Sequence, residues 1–181
     1  MGLTITQKAD TLGTYRFILV RFMETLAAWV PTSPELEVKT LFGRHIWVLA
    51  QHADAIGHRT VELRAKLHYD RAPQPPYLSA MKMLQEAAAS GDRIAALYDG
   101  ALPDLARRVQ DYLAHTDTLL DAPTVDILRR VLADLDRMHA DRAEVSAKRA
   151  DLRADAARVN AITQAFAAAR ELVEYREGVT T

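Results

Sequence analysis

The chain has 181 residues, a formal net charge of −1 and an apolar fraction of 49%, with no cysteine. This composition fits one domain with a full hydrophobic core, and it excludes disulfides, thiolate metal sites and cysteine nucleophiles. Neither a basic block nor a long apolar run occurs, so we expect no nucleic-acid and no membrane partner. The first residues lack the layout of a signal peptide, and we expect a cytoplasmic protein.

Apolar residues recur at helical intervals, and no segment alternates as a strand does, which predicts an all-α fold. The first helix is predicted over residues 5–29. A short loop follows it, so the second helix should return antiparallel to the first. We predict this second helix from Pro34, with Ser33 as its N-cap, to about Arg64.

Proline and glycine predict the boundaries of the later helices. A proline-rich loop over 70–77 should precede a short helix over 78–89. A third long helix is predicted from Asp92, with Pro103 kinking or splitting it. Asp121 is a predicted N-cap of the next helix, in which we expect a break near residues 146–150.

The last predicted helix, about 150–177, carries apolar residues every seven positions, namely Leu152, Val159, Phe166 and Val173. Packing of this stripe on the bundle is one interpretation, and a homodimer contact through the C-terminal helix is the other. We predict a single helical domain over 1–181, with a core bundle over about 5–145.

The second helix carries two histidines on an otherwise apolar stripe. His45 and His52 are seven residues apart and nearly eclipsed, together with Val48. Two imidazoles on such a stripe indicate either a site or buried neutral histidines. We therefore treat His52 as a candidate catalytic residue, and His45 and Val48 as candidate pocket residues.

Other polar residues are candidates because of their helical positions. Glu24 interrupts an apolar helix and either points into the bundle or pairs with Arg21 at the surface. Asp136 and His139 lie on one face, at the spacing by which a helix supplies two metal ligands, although a solvated charged face also explains them. Tyr98 and Tyr112 fall on the inner stripe of the third long helix, where a buried tyrosine usually finds a hydrogen-bond partner.

Three segments, ETLAAWVPTSPELEVK, HIWVLAQHADAIGHRTVELR and DAPTVDILRR, resemble small proteins of the ferritin-like superfamily, over about residues 10–145. The resemblance implies an antiparallel four-helix bundle with an additional C-terminal helix, and iron or manganese ions between the helices. By position, Glu24 corresponds to the helix-one ligand and His52 to the helix-two histidine. Asp136 and His139 correspond to the helix-four pair.

The resemblance leaves the metal-ligand set incomplete. Helix two should supply a glutamate at Leu49 or at Val48, and both are aliphatic. The inner stripe of helix three has tyrosines instead of a glutamate. Glu24 and Asp136 would supply about two negative charges against the four positive charges of a dimetal centre. We therefore expect either no cofactor or a single iron or manganese ion, held by Glu24, His52, Asp136 and His139.

Three functions follow as hypotheses. The first is an enzyme that uses a polar pocket at the degenerate metal site for acid–base chemistry on a small metabolite. Either His52 or His139 would transfer protons, tuned by Asp136 or Glu24. Tyr98 would donate a hydrogen bond to the substrate.

The second hypothesis is a non-haem iron or manganese oxidase or oxygenase. The third is a non-enzymatic scaffold or dimerisation module, which a closed bundle centre with a hydrogen-bonded His52 would favour.

Overall fold

The computed structural model describes residues 3–175, and this part of the chain is helical without a strand. The all-α prediction is therefore confirmed. No helix within 3–175 is long and apolar enough to cross a membrane. The elements are α1 (Ile5–Trp29), α2 (Leu36–Glu62), α3 (Pro75–Gln85), α4 (Ser90–Ala95), a π-helical segment (Ala96–Ala101), α5 (Leu102–His115), α6 (Ala122–Lys148) and α7 (Ala156–Ala168).

The pair α1–α2 forms the antiparallel base of the fold, as the short connection predicts. A capping box between Thr4 and Gln7 begins α1. The predicted N-cap of α2 is wrong, because the Ser33 hydroxyl donates to the Trp29 carbonyl (2.9 Å) instead of capping α2. Arg93 in turn donates to that hydroxyl (3.1 Å), so Ser33 joins three parts of the chain.

The predicted irregularity before Pro103 takes the form of the π-helical segment between α4 and α5. Pro103 has no N–H group, so the carbonyl one turn before it loses its usual helical donor. The wider turn lies directly upstream of this position, and the rod α4–α5 continues through it without a loop. Tyr98 lies within the π-helical segment, with its side chain 1% exposed.

The predicted break after α6 is confirmed, since residues 149–155 separate α6 from α7. The part of the predicted last helix beyond residue 175 lies outside the described residues. Ile162 and Phe166 of α7 are buried, and α7 packs against α3 and the π-helical segment. Of the predicted stripe, Phe166 and Val173 are buried and Leu152 and Val159 are half-buried, and Leu152 and Val173 lie outside α7. The stripe therefore packs on the bundle in part, and the homodimer contact stays a prediction.

Candidate functional site

The four predicted metal ligands do not meet. Glu24 is on the surface, with a side chain 50% exposed, and it pairs with Arg21 at 2.9 Å. Asp136 and His139 are also exposed, and only His52 is buried. Within 3–175 there is no group of three or more His, Asp or Glu side chains that could hold a metal ion.

The position of Glu24 at the surface has a physical reason. Arg21 is one turn before Glu24, so the carboxylate has a solvated partner on its own helix, whereas an inward orientation would bury an unpaired charge. The prediction that Glu24, His52, Asp136 and His139 form one metal site is thus corrected.

The two histidines of α2 do share one stripe, and it faces α6. His52 Nε2 is 2.9 Å from Asp134 Oδ2, and His45 Nε2 is 3.2 Å from Asp141 Oδ2. The partners are seven residues apart on both helices, with the order reversed on α6, as antiparallel packing requires. We call these four residues the α2–α6 seam.

The hydrogen bonds of the seam fix its protonation. A carboxylate only accepts, so we assign the His45 proton to Nε2, which leaves Nδ1 to accept from the Tyr98 hydroxyl at 2.6 Å. Burial raises the pKa of Tyr98 well above its ordinary value. The predicted role of Tyr98 as a donor to a substrate is corrected, because its hydroxyl already donates a hydrogen bond to His45.

Burial also governs the seam histidines themselves. It lowers the pKa of His45 and of His52 below the ordinary value, although Asp141 and Asp134 act in the opposite direction. Both imidazoles are therefore neutral at neutral pH. The structure therefore agrees with the interpretation of the two histidines as buried and neutral. Their aspartate partners are the residues that were not predicted from the sequence.

Three predicted site residues line a smaller pocket between α5 and α6. Tyr98, Asp136 and His139 border a volume of about 230 Å³, together with Arg107 and Gln110. Among the described residues, the His139 side chain has no hydrogen-bond or ion-pair partner. This pocket contains neither Glu24 nor His52.

The remaining predicted pocket residues lie elsewhere. Val48 is half-buried. Tyr112 donates its hydroxyl to Asp121 Oδ2 at 2.7 Å. Asp121 is the N-cap residue of α6, as predicted, but its side chain makes no cap hydrogen bond and is buried, with Asp121 1% exposed. Lys8 and Arg59 pair with the same carboxylate at 3.3 and 3.2 Å, which joins α1 and α2 to the start of α6.

Two larger cavities occur beside the first turns of α1. We call one the end cavity, which has a volume of about 490 Å³ and lies between α1 and residues 63–69. The other, which we call the acidic cavity, has about 550 Å³ and includes Asp111, Glu171 and Glu174 in its lining. Neither cavity was predicted, because their walls come from segments far apart in the sequence.

Comparisons of the chain with protein-family models, with curated proteins and with solved structures gave no match.

Proposed function

We propose that the chain is a non-enzymatic helical module that binds a small molecule in the end cavity. The cavity volume of about 490 Å³ is within the usual range for ligand pockets. Ile5, Ala9 and Leu63 supply apolar walls, and Arg64 and Lys66 supply charge at the rim. The juxtaposition of an apolar cavity and charged side chains is the observation that carries this proposal.

The buried polar residues of the bundle also support a non-enzymatic function. The candidate catalytic residues His52 and Tyr98 and the candidate pocket residue His45 are buried, and each is hydrogen-bonded to another part of the chain. A general base needs hydrogen-bonding reach to its substrate. The bonds of these three residues hold helices together instead, which is the arrangement that the scaffold hypothesis expects.

A tryptophan at the mouth of the end cavity tests the proposal. Thr6 is exposed and lines the cavity, so the indole of Thr6→Trp should occupy the space that a ligand needs. We expect the wild type to bind the neutral dye Nile red, and Thr6→Trp to bind it at least about tenfold more weakly, a loss of about 1.4 kcal/mol. Fluorescence titration measures both affinities.

The matched control is Ala28→Trp, which adds the same side chain to an exposed position of the same helix. Its dye affinity should equal that of the wild type. Equal affinities of all three proteins would contradict the end cavity as the binding site.

The second candidate function is the acid–base enzyme, now placed in the pocket between α5 and α6. Its support is that Asp136, His139 and Tyr98 line this one pocket, with the His139 imidazole unengaged among the described residues. Thr6→Trp and His139→Ala separate the two candidate functions. A substrate whose turnover survives Thr6→Trp and disappears in His139→Ala would favour the enzyme.

The ferritin-like arrangement also remains a proposal. We propose that α1, α2, the rod α4–α5 and α6 correspond to the four helices of such a bundle, with α7 as the additional helix. The antiparallel packing of α1 with α2, and of α2 with α6, supports this correspondence. The lack of cysteine suits a cytoplasmic protein, which we retain as part of the proposal.

A further inference from the structure

We infer that the end cavity selects an amphipathic anion, a carboxylate or similar group on a short aliphatic body. This inference rests on the proposed function, because it names the ligand class of the same cavity. An aliphatic body would occupy the space beside Ile5, Ala9, Leu63 and Ala65. Ile5 is 55% exposed, so a ligand there would remove apolar surface from water.

The charges that border the end cavity are positive on balance. Arg64 and Lys66 line it, and neither side chain has an ion-pair or hydrogen-bond partner among the described residues. Asp10 is the one carboxylate in the lining, and it is already engaged. Its Oδ1 accepts from Tyr69 at 2.9 Å, and its Oδ2 pairs with Arg71. A ligand carboxylate would thus meet two available cations and a neutralised acid.

Arg64 stands where the fold itself favours glycine. The α2 helix ends in a Schellman-type turn, in which the Ala65 N–H donates to the Thr60 carbonyl at 2.9 Å. Arg64 is the left-handed residue of this turn, with φ 65°. Glycine adopts that conformation without the steric cost of a Cβ. The fold alone therefore does not explain an arginine here, whereas a role in ligand binding does.

The segment that carries Arg64 and Lys66 is fixed against α1. The ring of Tyr69 lies over Gly13, where an added Cβ would be 2.7 Å from Cδ1 of the ring. The Arg71 N–H donates to the Gly13 carbonyl at 3.3 Å. Binding at the end cavity would therefore require little ordering of the backbone, which favours affinity.

The acidic cavity provides an internal contrast. Asp111, Glu171 and Glu174 line it, and its one cation, Arg108, donates to Asp104 at 2.6 Å and to backbone carbonyls of residues 166–170. Asp111 pairs with Arg107 at 3.3 Å, but Glu171 and Glu174 have no ion-pair partner among the described residues, so an anion would meet their negative charge there. We therefore expect anion selection at the end cavity alone.

Three probes with the same aliphatic chain but different head groups test the inference: octanoate, octanol and octylamine. Isothermal titration calorimetry of the full chain at pH 7.5 should give the tightest binding for octanoate and the weakest for octylamine. In Arg64→Gly the octanoate affinity should fall about tenfold, as the loss of one charge-assisted hydrogen bond predicts, while octanol affinity stays unchanged. The same variant should melt about 2 °C higher, because glycine relieves the left-handed backbone.

The matched control is His68→Gly, which replaces the other non-glycine residue with positive φ, 52°, in the same connection. His68 does not line the end cavity, so octanoate affinity should stay within twofold of the wild type. Octanoate binding no tighter than octanol binding, or unchanged in Arg64→Gly, would overturn the anion inference. If Thr6→Trp binds octanol as tightly as the wild type does, the cavity proposal itself fails.

Discussion

The neighbours of a residue determine which side chain its position can hold, and two glycines show this clearly. Gly91, at the start of α4, faces the Arg153 backbone so closely that an added Cβ would overlap the Arg153 carbonyl. Gly43 lies in the middle of α2 with nothing near its Cβ position. The first glycine permits a contact between distant segments, whereas the second only weakens its helix.

Opposite substitution effects follow for these two glycines. Gly91→Ala should lower the free energy of unfolding by about 1–3 kcal/mol, because the connection between α6 and α7 must move. Gly43→Ala should raise it by about 0.5–1 kcal/mol, because alanine favours an exposed helix interior. Urea denaturation measures both changes. A neutral Gly91→Ala would show that residues 149–155 do not pack on α4 as described.

The helices themselves are joined by polar as well as apolar contacts, and the α2–α6 seam is the clearest case. Its two His–Asp pairs are buried or half-buried and spaced by seven residues on both helices. Arg44 is also near His45, and Arg130 and Arg137 are near His52. A protonated imidazole in this seam gains an aspartate partner but loses hydration, and burial is the larger effect.

Stability should therefore decrease as the pH falls through the range in which histidine titrates. The folded pKa of both seam histidines is below the ordinary 6.5, so the unfolded chain binds protons first. The contribution of the neutral seam histidines to the free energy of unfolding is complete above about pH 6.5. It is lost as the pH falls toward their pKa values in the folded protein. The slope is at most about 1.4 kcal/mol per pH unit for each histidine. Urea unfolding between pH 7.5 and 5.0 measures it.

Glutamine variants identify the source of this slope. His45→Gln and His52→Gln keep a donor near the aspartate but cannot be protonated, so each should reduce the slope. His58→Gln is the control, because that side chain is 65% exposed. A wild-type protein that becomes more stable on acidification would contradict the neutral seam.

At the scale of the whole molecule, Asp121 joins four helices at one end of the bundle. Its buried carboxylate accepts from Tyr112 and Thr116 and pairs with Lys8 and Arg59. Burial alone would raise the pKa of Asp121, but hydrogen bonds and the charge of Lys8 lower it overall. The carboxylate is thus ionised. Removing its charge would leave Lys8 without an ion-pair partner among the described residues, and Arg59 with Glu62 alone.

Asp121→Asn should lower the free energy of unfolding by about 2–4 kcal/mol, because the amide cannot neutralise Lys8 and Arg59. Chemical denaturation measures the change. Asp126→Asn, on the exposed face of α6, should change stability by no more than about 0.5 kcal/mol. Equal effects of the two variants would show that Asp121 contributes no more than a surface charge.

The sequence predicted the helices well because helical periodicity and helix-breaking residues are local properties. It placed α1 over 5–29, the break between α6 and α7, and the irregularity before Pro103. It also placed His45 and His52 on one stripe, since residues seven apart on a helix must share a face. The signal that could have identified their partners is the same spacing between Asp134 and Asp141.

Only the tertiary structure decided which face of each helix meets another helix. Glu24 was equally compatible with the interior and the surface, and the packing of α1 leaves its side chain 50% exposed, beside Arg21. Asp134 and Asp141 are 82 and 96 residues away from their histidines, so their contacts depend on the packing of α6 against α2. The periodicity of a helix depends on its own residues. Burial, cavities and charge pairs depend on which other segments of the chain pack against that helix.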